Sequence, residues 1–337
     1  MVLLVSKHLF AIKLAASAAL LLAIGISVGC TGTGGSDTTS TGLDKVTLML
    51  NWYPEAEHGG FYAAKVHGIY EKYGLEVEIR PGGPTAPVAQ ELVAGRVQFA
   101  IGNADDVLVF REQDVPVVAL MAPIQNTPRC ILVHASSDAT SLKKLGGMKM
   151  QAGAGRPYLA FMESKGLLED VQLVPYSGVP NLVSDANSAM QGYSFSEPML
   201  AKEEGLDVRM MMVSDIGFNP YASCLIATEE YIGDESGVVQ RMVTASREGW
   251  EKYLREPAET HKAILEANKH GMTEAALDYG VQELKPLCVT DDVPLKEVGS
   301  MSVDRWETLV QQFSEIELLS KDKVAAGDVY TLDFLTN

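Results

Sequence analysis

Residues 46–50 are apolar and largely β-branched or aliphatic, and the next two positions, Asn51 and Trp52, are polar and aromatic. A run that short and that apolar suits a buried strand. Ligands of open α/β sheets bind just beyond the carboxyl ends of strands, which puts the Asn51 amide and the Trp52 indole at the mouth of a site. Gly59-Gly60 lets backbone come close to whatever lies there, and residues 61–70 read as a helix returning along the sheet.

The same change of character recurs along the chain. Residues 74–80 alternate like a strand, Pro81-Gly82-Gly83-Pro84 turns them into a helix ending near Gly95, and 97–101 form the next strand. Asn103, Asp105 and Asp106 then sit at a strand-to-helix junction, where aspartate is expected to cap the helix. A strand over 115–121 is followed by 122–129, a Pro- and Asn-containing run that regular structure does not cross easily. A second series has strands at 131–134, 148–152, 171–176, 190–195 and 206–213, with helical segments around Ser141 and over 158–166, 181–187 and 198–204. The pattern breaks again at 217–221, resumes with a strand at 223–228, and stays helical to about Ser320. Such alternation predicts two doubly wound α/β lobes with two crossings between them. Lobe 1 is expected over 45–128 and 222–330, and lobe 2 over 129–221.

Residues 1–29 carry Lys7 and Lys13, no acidic side chain, and an apolar stretch over 14–28 that is short for a membrane span. They read as an export signal, followed over 30–44 by a flexible polar linker. The junction resembles that of a bacterial lipoprotein, with Cys30 as the lipid anchor, although Ser27 stands where leucine is usual. Simple secretion is the alternative. A formal charge of −17 argues against nucleic acid as a partner. Cys130, Cys224 and Cys288 have no metal-like spacing; Cys130 and Cys224 lie in apolar runs and read as small buried hydrophobes, with a bridge between them the alternative. Metalloprotease, phosphate-loop and nucleophile-elbow motifs are all missing, so no cofactor or metal is expected and ATP hydrolysis falls to a partner.

Two further stretches carry chemistry. In Tyr193-Ser194-Phe195-Ser196-Glu197-Pro198 the proline favours extended backbone before it, which would bring Tyr193, Phe195 and Glu197 to one face. Glu is a poor helix cap, which favours a ligand role for Glu197. Gly153-Ala154-Gly155-Arg156-Pro157 opens a helix, so Arg156 reads either as an anion clamp or as a solvated surface group. His58 reads either as a neutral ring at a helix start or as a ligand donor.

These residues together carry a resemblance. Asn51-Trp52 with Pro54, His58, Gly60 and Tyr62, the run Gly68-Ile69-Tyr70-Glu71-Lys72-Tyr73-Gly74-Leu75, the set Gly95, Phe99, Ala100, Ile101 and Gly102, and Glu197-Pro198 make the chain resemble substrate-binding proteins of ABC importers. The subgroup is the one that binds sulfonates, nitrate and the pyrimidine precursors of thiamine, and the first 80 residues are most similar to the pyrimidine-precursor binders. The resemblance implies a type II periplasmic binding protein fold and no enzymatic activity. It also implies a monomeric, exported receptor at the membrane or in the periplasm, with ABC permease and ATPase subunits as partners. Its cargo would be a hydroxymethylpyrimidine or formylaminopyrimidine. Asn51, Trp52, His58, Tyr62, Asn103, Gln125, Arg156, Tyr193 and Glu197 are the candidate ligand residues. A sulfonate, nitrate or flavin cargo is the alternative within the class. The pyrimidine synthase of thiamine biosynthesis, which shares the fold, is the alternative outside it, but its cysteine-rich run is missing here.

Overall fold

The computed structural model describes residues 42–336. The expected leader, the anchor Cys30 and nearly all of the linker lie outside the described residues. Strands β1 (Asp44–Met49), β2 (Leu75–Arg80), β3 (Phe99–Gly102) and β4 (Val117–Met121) begin a first sheet. The chain then builds a second sheet from β5 (Arg129–His134), β6 (Lys149–Ala152), β7 (Gln172–Pro175), β8 (Ser188–Tyr193) and β9 (Val208–Met212), and returns to the first as β10 (Cys224–Thr228). The strand orders are β2-β1-β3-β10-β4 and β7-β6-β8-β5-β9. Helices α1 (Gly59–Val66), α2 (Ile69–Lys72), α3 (Val88–Val93) and α4 (Ala104–Glu112) accompany the first sheet, and α5 (Pro157–Ser164), α6 (Val179–Ser184) and α7 (Glu197–Glu203) the second. After β10 come α8 (Glu229–Asp234), α9 (Ser236–Arg255), α10 (Ala258–Ala267), α11 (Glu274–Cys288) and α12 (Val303–Glu315).

Every strand expected from the sequence is present within a few residues, because each is a short apolar run bounded by Gly, Pro or Asn. The helices depart more. The helix expected over 61–70 is two, α1 and α2, separated at Gly68, whose φ of 65° is left-handed. Around Ser141 only a single 3-10 turn forms, Leu142–Lys144, stopped by Gly146-Gly147. Within 193–198 the extended backbone ends at Tyr193; Glu197 already starts α7, and Phe195 is buried in the core of the first sheet and its helices. Met211 is buried as strand core, but Met210 is exposed because β9 is an edge strand. Cys130, Cys224 and Cys288 are free and buried, as small hydrophobes would be.

The two crossings run side by side. The Ala222 N–H donates to the Ile124 carbonyl at 3.1 Å, the Thr127 N–H to Asn219 Oδ1 at 2.8 Å, and Asn219 Nδ2 to Asn126 Oδ1 at 2.9 Å. The C-terminal stretch covers the outer side of β4: the Ala119 N–H donates to the Val329 carbonyl at 2.9 Å, and Tyr330 stacks on Trp306 with ring centroids 5.5 Å apart. An edge that would otherwise expose unpaired backbone is thereby closed.

Gly59 and Gly60 do allow a close approach, but what approaches is α9. A Cβ on Gly60 would lie 2.1 Å from Cγ of Trp250, and one on Gly249 would lie 2.3 Å from the Gly60 carbonyl oxygen and 2.6 Å from Cβ of Ala64. The 3.6-residue period that returns Gly60 and Ala64 to one face of α1 lets two helix backbones touch there. Gly249→Ala should therefore lower stability by about 1–3 kcal/mol through overpacking, read as a lower urea midpoint. Gly233→Ala in α8, where an added Cβ would meet nothing within 4 Å, should be neutral or mildly stabilising. Equal effects of the two would remove this account of the α1–α9 contact.

Candidate functional site

β1, β3, β6, β7 and β8 end on a common cavity of about 210 Å³ whose wall is drawn from both sheets. β5 runs antiparallel to β8, pairing Arg129 with Tyr193, so it is the first residue of β5 that reaches the same place. Asn51 and Trp52 arrive from the end of β1, and Glu55 and Glu57 from the turn and 3-10 segment that follow. Asn103 and Asp106 come from the start of α4, Arg156 from the residue before α5, Tyr176 from beyond β7, Gln191 and Tyr193 from β8, and Glu197 from the start of α7.

Six of the nine candidate residues line this cavity: Asn51, Trp52, Asn103, Arg156, Tyr193 and Glu197. Three do not. Tyr62 is buried in the core of the first sheet and its helices. Gln125 lies in the crossing, where its Nε2 donates to the carbonyls of Ala122 at 2.7 Å and Ser300 at 3.0 Å. His58 is fully buried behind the wall. Its Nδ1 faces the Glu55 N–H at 3.4 Å, which can only donate, so the neutral ring carries its proton on Nε2 and gives it to Asn51 Oδ1 at 3.0 Å. Burial pulls the imidazole down to about 3, keeping it neutral. With its oxygen taken, Asn51 has its N–H₂ left for a ligand.

The wall is rich in carboxylates. Glu55 Oε1 accepts from the Trp52 indole N–H at 3.2 Å, and Glu57 Oε2 from the Ser223 hydroxyl at 3.1 Å. Glu197 Oε2 accepts from the Tyr193 backbone N–H at 2.6 Å and Oε1 from the Tyr176 hydroxyl at 3.3 Å. The Glu197 side chain folds back over β8 because residue 192 is glycine; a Cβ there would lie 3.0 Å from that of Glu197. No lysine or arginine lies within salt-bridge distance of Glu55, Glu57 or Glu197 among the described residues. Burial, reinforced by the neighbouring carboxylates, raises Glu55 well above the usual carboxylate range, and burial raises Glu57 to about 7 and Glu197 in the same direction.

Asp106 caps α4 as expected, with its Oδ2 accepting from the Asn103 N–H at 3.1 Å, and its Oδ1 also holds Arg156 at 3.0 Å. Arg156 is thus not a free clamp; partly solvated, it ties the start of α5 to the start of α4. Asp105 is not a cap: it is buried and neither oxygen has a hydrogen-bond partner. Trp52 has Tyr53 beside it, with ring centroids 5.2 Å apart, and meets Tyr176 of the cavity wall edge-on at 6.3 Å. Glu55, Glu57, Arg129 and Tyr176 were not singled out in the sequence. Glu57 had a signal, its place one residue before His58 at a strand-to-helix turn; Arg129 had none, since its arrival depends on an antiparallel pairing.

Among the described residues no group of three His, Cys, Asp or Glu side chains is arranged to hold a metal ion. Glu57 binds its proton more tightly folded than unfolded, so its contribution to stability is full below pH 4.5 and is lost as pH rises through about 7. Ligand-free Glu57→Gln should accordingly gain on the parent between pH 5 and pH 8, by up to about 3 kcal/mol. His58 has the opposite sign, its stability loss coming as pH falls below 6.5, but it is common to both proteins and cancels in the difference. Urea unfolding at the two pH values checks this, and a difference independent of pH would refute it.

The chain is 27% identical over 316 residues to the formylaminopyrimidine-binding protein of Halalkalibacterium halodurans, covering 91% of this chain and 95% of that one. It is 24% identical to the riboflavin-binding protein RibY of Chloroflexus aurantiacus, over 66% of each chain. Its fold is that of the alkanesulfonate-binding protein SsuA from Xanthomonas axonopodis pv. citri bound to MOPS, with a TM-score of 0.63 at 15% identity, covering 86% of this chain and 99% of that one. The family model described as NMT1/THI5 like matches residues 55–260, more than half of the sequence, and the chain belongs to that family.

Proposed function

We propose that the chain is the substrate-binding subunit of an ABC importer and captures a thiamine pyrimidine precursor, an aminopyrimidine of the hydroxymethyl or formylamino type. The observation that carries this is the set of three carboxylates, Glu55, Glu57 and Glu197, on one small cavity with no cationic side chain paired to any of them. Such a wall favours a ligand rich in N–H donors, and an exocyclic amine beside a ring nitrogen offers that. Trp52 and Tyr176 supply aromatic surface for a flat ring, and Asn51 supplies a donor for a ring nitrogen. In this reading no bond is made or broken, in keeping with the relatives named as binding proteins rather than with the synthase alternative.

A sulfonate or nitrate fits less well. Arg156, its expected holder, is already paired with Asp106, and although Arg129 also lines the cavity an added anion would stand among four carboxylates. The riboflavin-binding relative gives flavin a claim. A cavity of about 210 Å³ is nevertheless below the usual range for small-molecule sites and suits one ring better than three fused ones. In this reading the two sheets with their helices are lobes that close about the crossings near Pro128 and Asn219. Export, and anchoring through Cys30, complete the receptor.

Glu197→Gln should weaken an aminopyrimidine by about 1.5–3 kcal/mol, the worth of a hydrogen bond to a charged group, and leave the fold intact. For an alkanesulfonate the same change should be neutral or helpful, and Arg156→Ala the damaging one. Calorimetric titration of both variants with one ligand of each class separates the cargoes. Unchanged aminopyrimidine binding by Glu197→Gln would end the pyrimidine assignment. Trp52→Ala should lower affinity as well, and equal affinity for every pyrimidine tested would refute the stacking role.

A further inference from the structure

Arg129 is 5% exposed and lines the cavity, yet no carboxylate lies within 4.0 Å of it among the described residues. A guanidinium stays charged and has five N–H donors. Among the described residues the side chain makes one hydrogen bond, from Nη2 to the Tyr193 hydroxyl at 3.3 Å; its Nε is buried without a partner there, and Nη1 makes no hydrogen bond. The group is nevertheless held in place, its centre 4.7 Å from the Tyr158 ring and 5.2 Å from the Tyr193 ring. Fixed, buried and short of acceptors, it is prepared for an oxygen that the protein does not provide. Arg156 differs on each count, being paired with Asp106 and having 42% of its side chain exposed.

Tyr193 adds a second donor at the same pole. Its oxygen accepts from Asn103 Nδ2 at 2.9 Å as well as from Arg129, which occupies both lone pairs and leaves its own O–H to donate. We propose that Arg129, with the Tyr193 hydroxyl, forms an acceptor subsite that takes the carbonyl oxygen of an amide substituent on the bound ring. The inference rests on the heterocycle-receptor reading and extends it: the site tests its ligand at two poles, donors against Glu197 and an acceptor against Arg129. A carbonyl fits better than a full anion. Glu57, Glu197, Asp105 and Asp106 are all near enough for their charge to bear on this guanidinium, and an anionic substituent would meet their repulsion.

The test uses three rings: 4-amino-2-methylpyrimidine bearing a 5-formamidomethyl group, the same ring with a 5-methyl group, and the same ring with a 5-carboxylate. Calorimetry on the parent should show the amide ring binding about ten- to a hundredfold tighter than the methyl ring. Arg129→Met should erase that preference, read as the ratio of the two affinities within the variant, and Arg129→Lys should restore part of it. Thermal melts report whether each variant is folded; should Arg129→Met not fold, the parent's ranking of the three rings and the Lys variant still decide. Equal binding of amide and methyl rings by the parent refutes this inference alone, as does a preference that survives in Arg129→Met. Tighter binding of the carboxylate ring refutes the neutral acceptor. Failure of the parent to bind any of the three refutes the heterocycle reading and this inference with it.

Discussion

β10 hydrogen-bonds on both sides, to β3 from Cys224 to Ile226 and to β4 from Leu225 to Thr228, and it runs against both. A returning strand that filled the middle of the first sheet in this direction has to enter from the crossing side, next to the outgoing chain, and Ala222 and Ile124 are paired there. The second sheet answers with its own antiparallel strand, β5, placed between β8 and β9. Because the two exceptional strands sit at the crossings, the carboxyl ends of the parallel strands in both sheets open onto one cavity; Arg129, at the crossing-side end of β5, joins them, and Ser223, just before β10, holds Glu57 from behind. Strand direction is thus what assembles the site, before any side chain is considered.

The site gathers like charges, which is costly unless something offsets it. Isolated carboxylates are poorly solvated in a closed cavity, and three on one wall also repel one another. The protein offsets part of this with fixed donors: the indole of Trp52, the hydroxyls of Ser223 and Tyr176, and the backbone N–H of Tyr193. What remains is a wall with acceptors to spare, and under the proposed function such pre-organisation favours a donor-bearing ligand.

A second tier keeps that wall in order. His58, locked by the Glu55 N–H, orients the Asn51 amide, and Gly192 leaves room for Glu197 to lie over β8. The packing of α1 on α9 through Gly60, Ala64 and Gly249 anchors the helix that follows His58. His58, Gly192 and the α1–α9 contact do not line the cavity and act through position.

Much of the fold was legible in the residues alone. Short apolar runs bounded by Gly, Pro and Asn marked every strand, since burial and backbone geometry are local demands, and the polar groups at strand ends marked Asn51, Trp52, Asn103, Tyr193 and Glu197 for the same reason. What a helix start meets is not local. His58 and Tyr62, one helical turn apart, read like ligand residues, yet packing turned Tyr62 into a core and His58 behind Asn51. Arg156 read as a clamp or a surface group, and a residue 50 positions away, Asp106, took it. Arg129 read as part of a connection, and the antiparallel register with Tyr193 brought it to the cavity. The sequence by itself determined the elements and the places where polar groups must emerge, because these follow from the chemistry of neighbours in the chain; which groups face the ligand was decided by tertiary structure, because pairing across the cleft joins residues far apart in sequence.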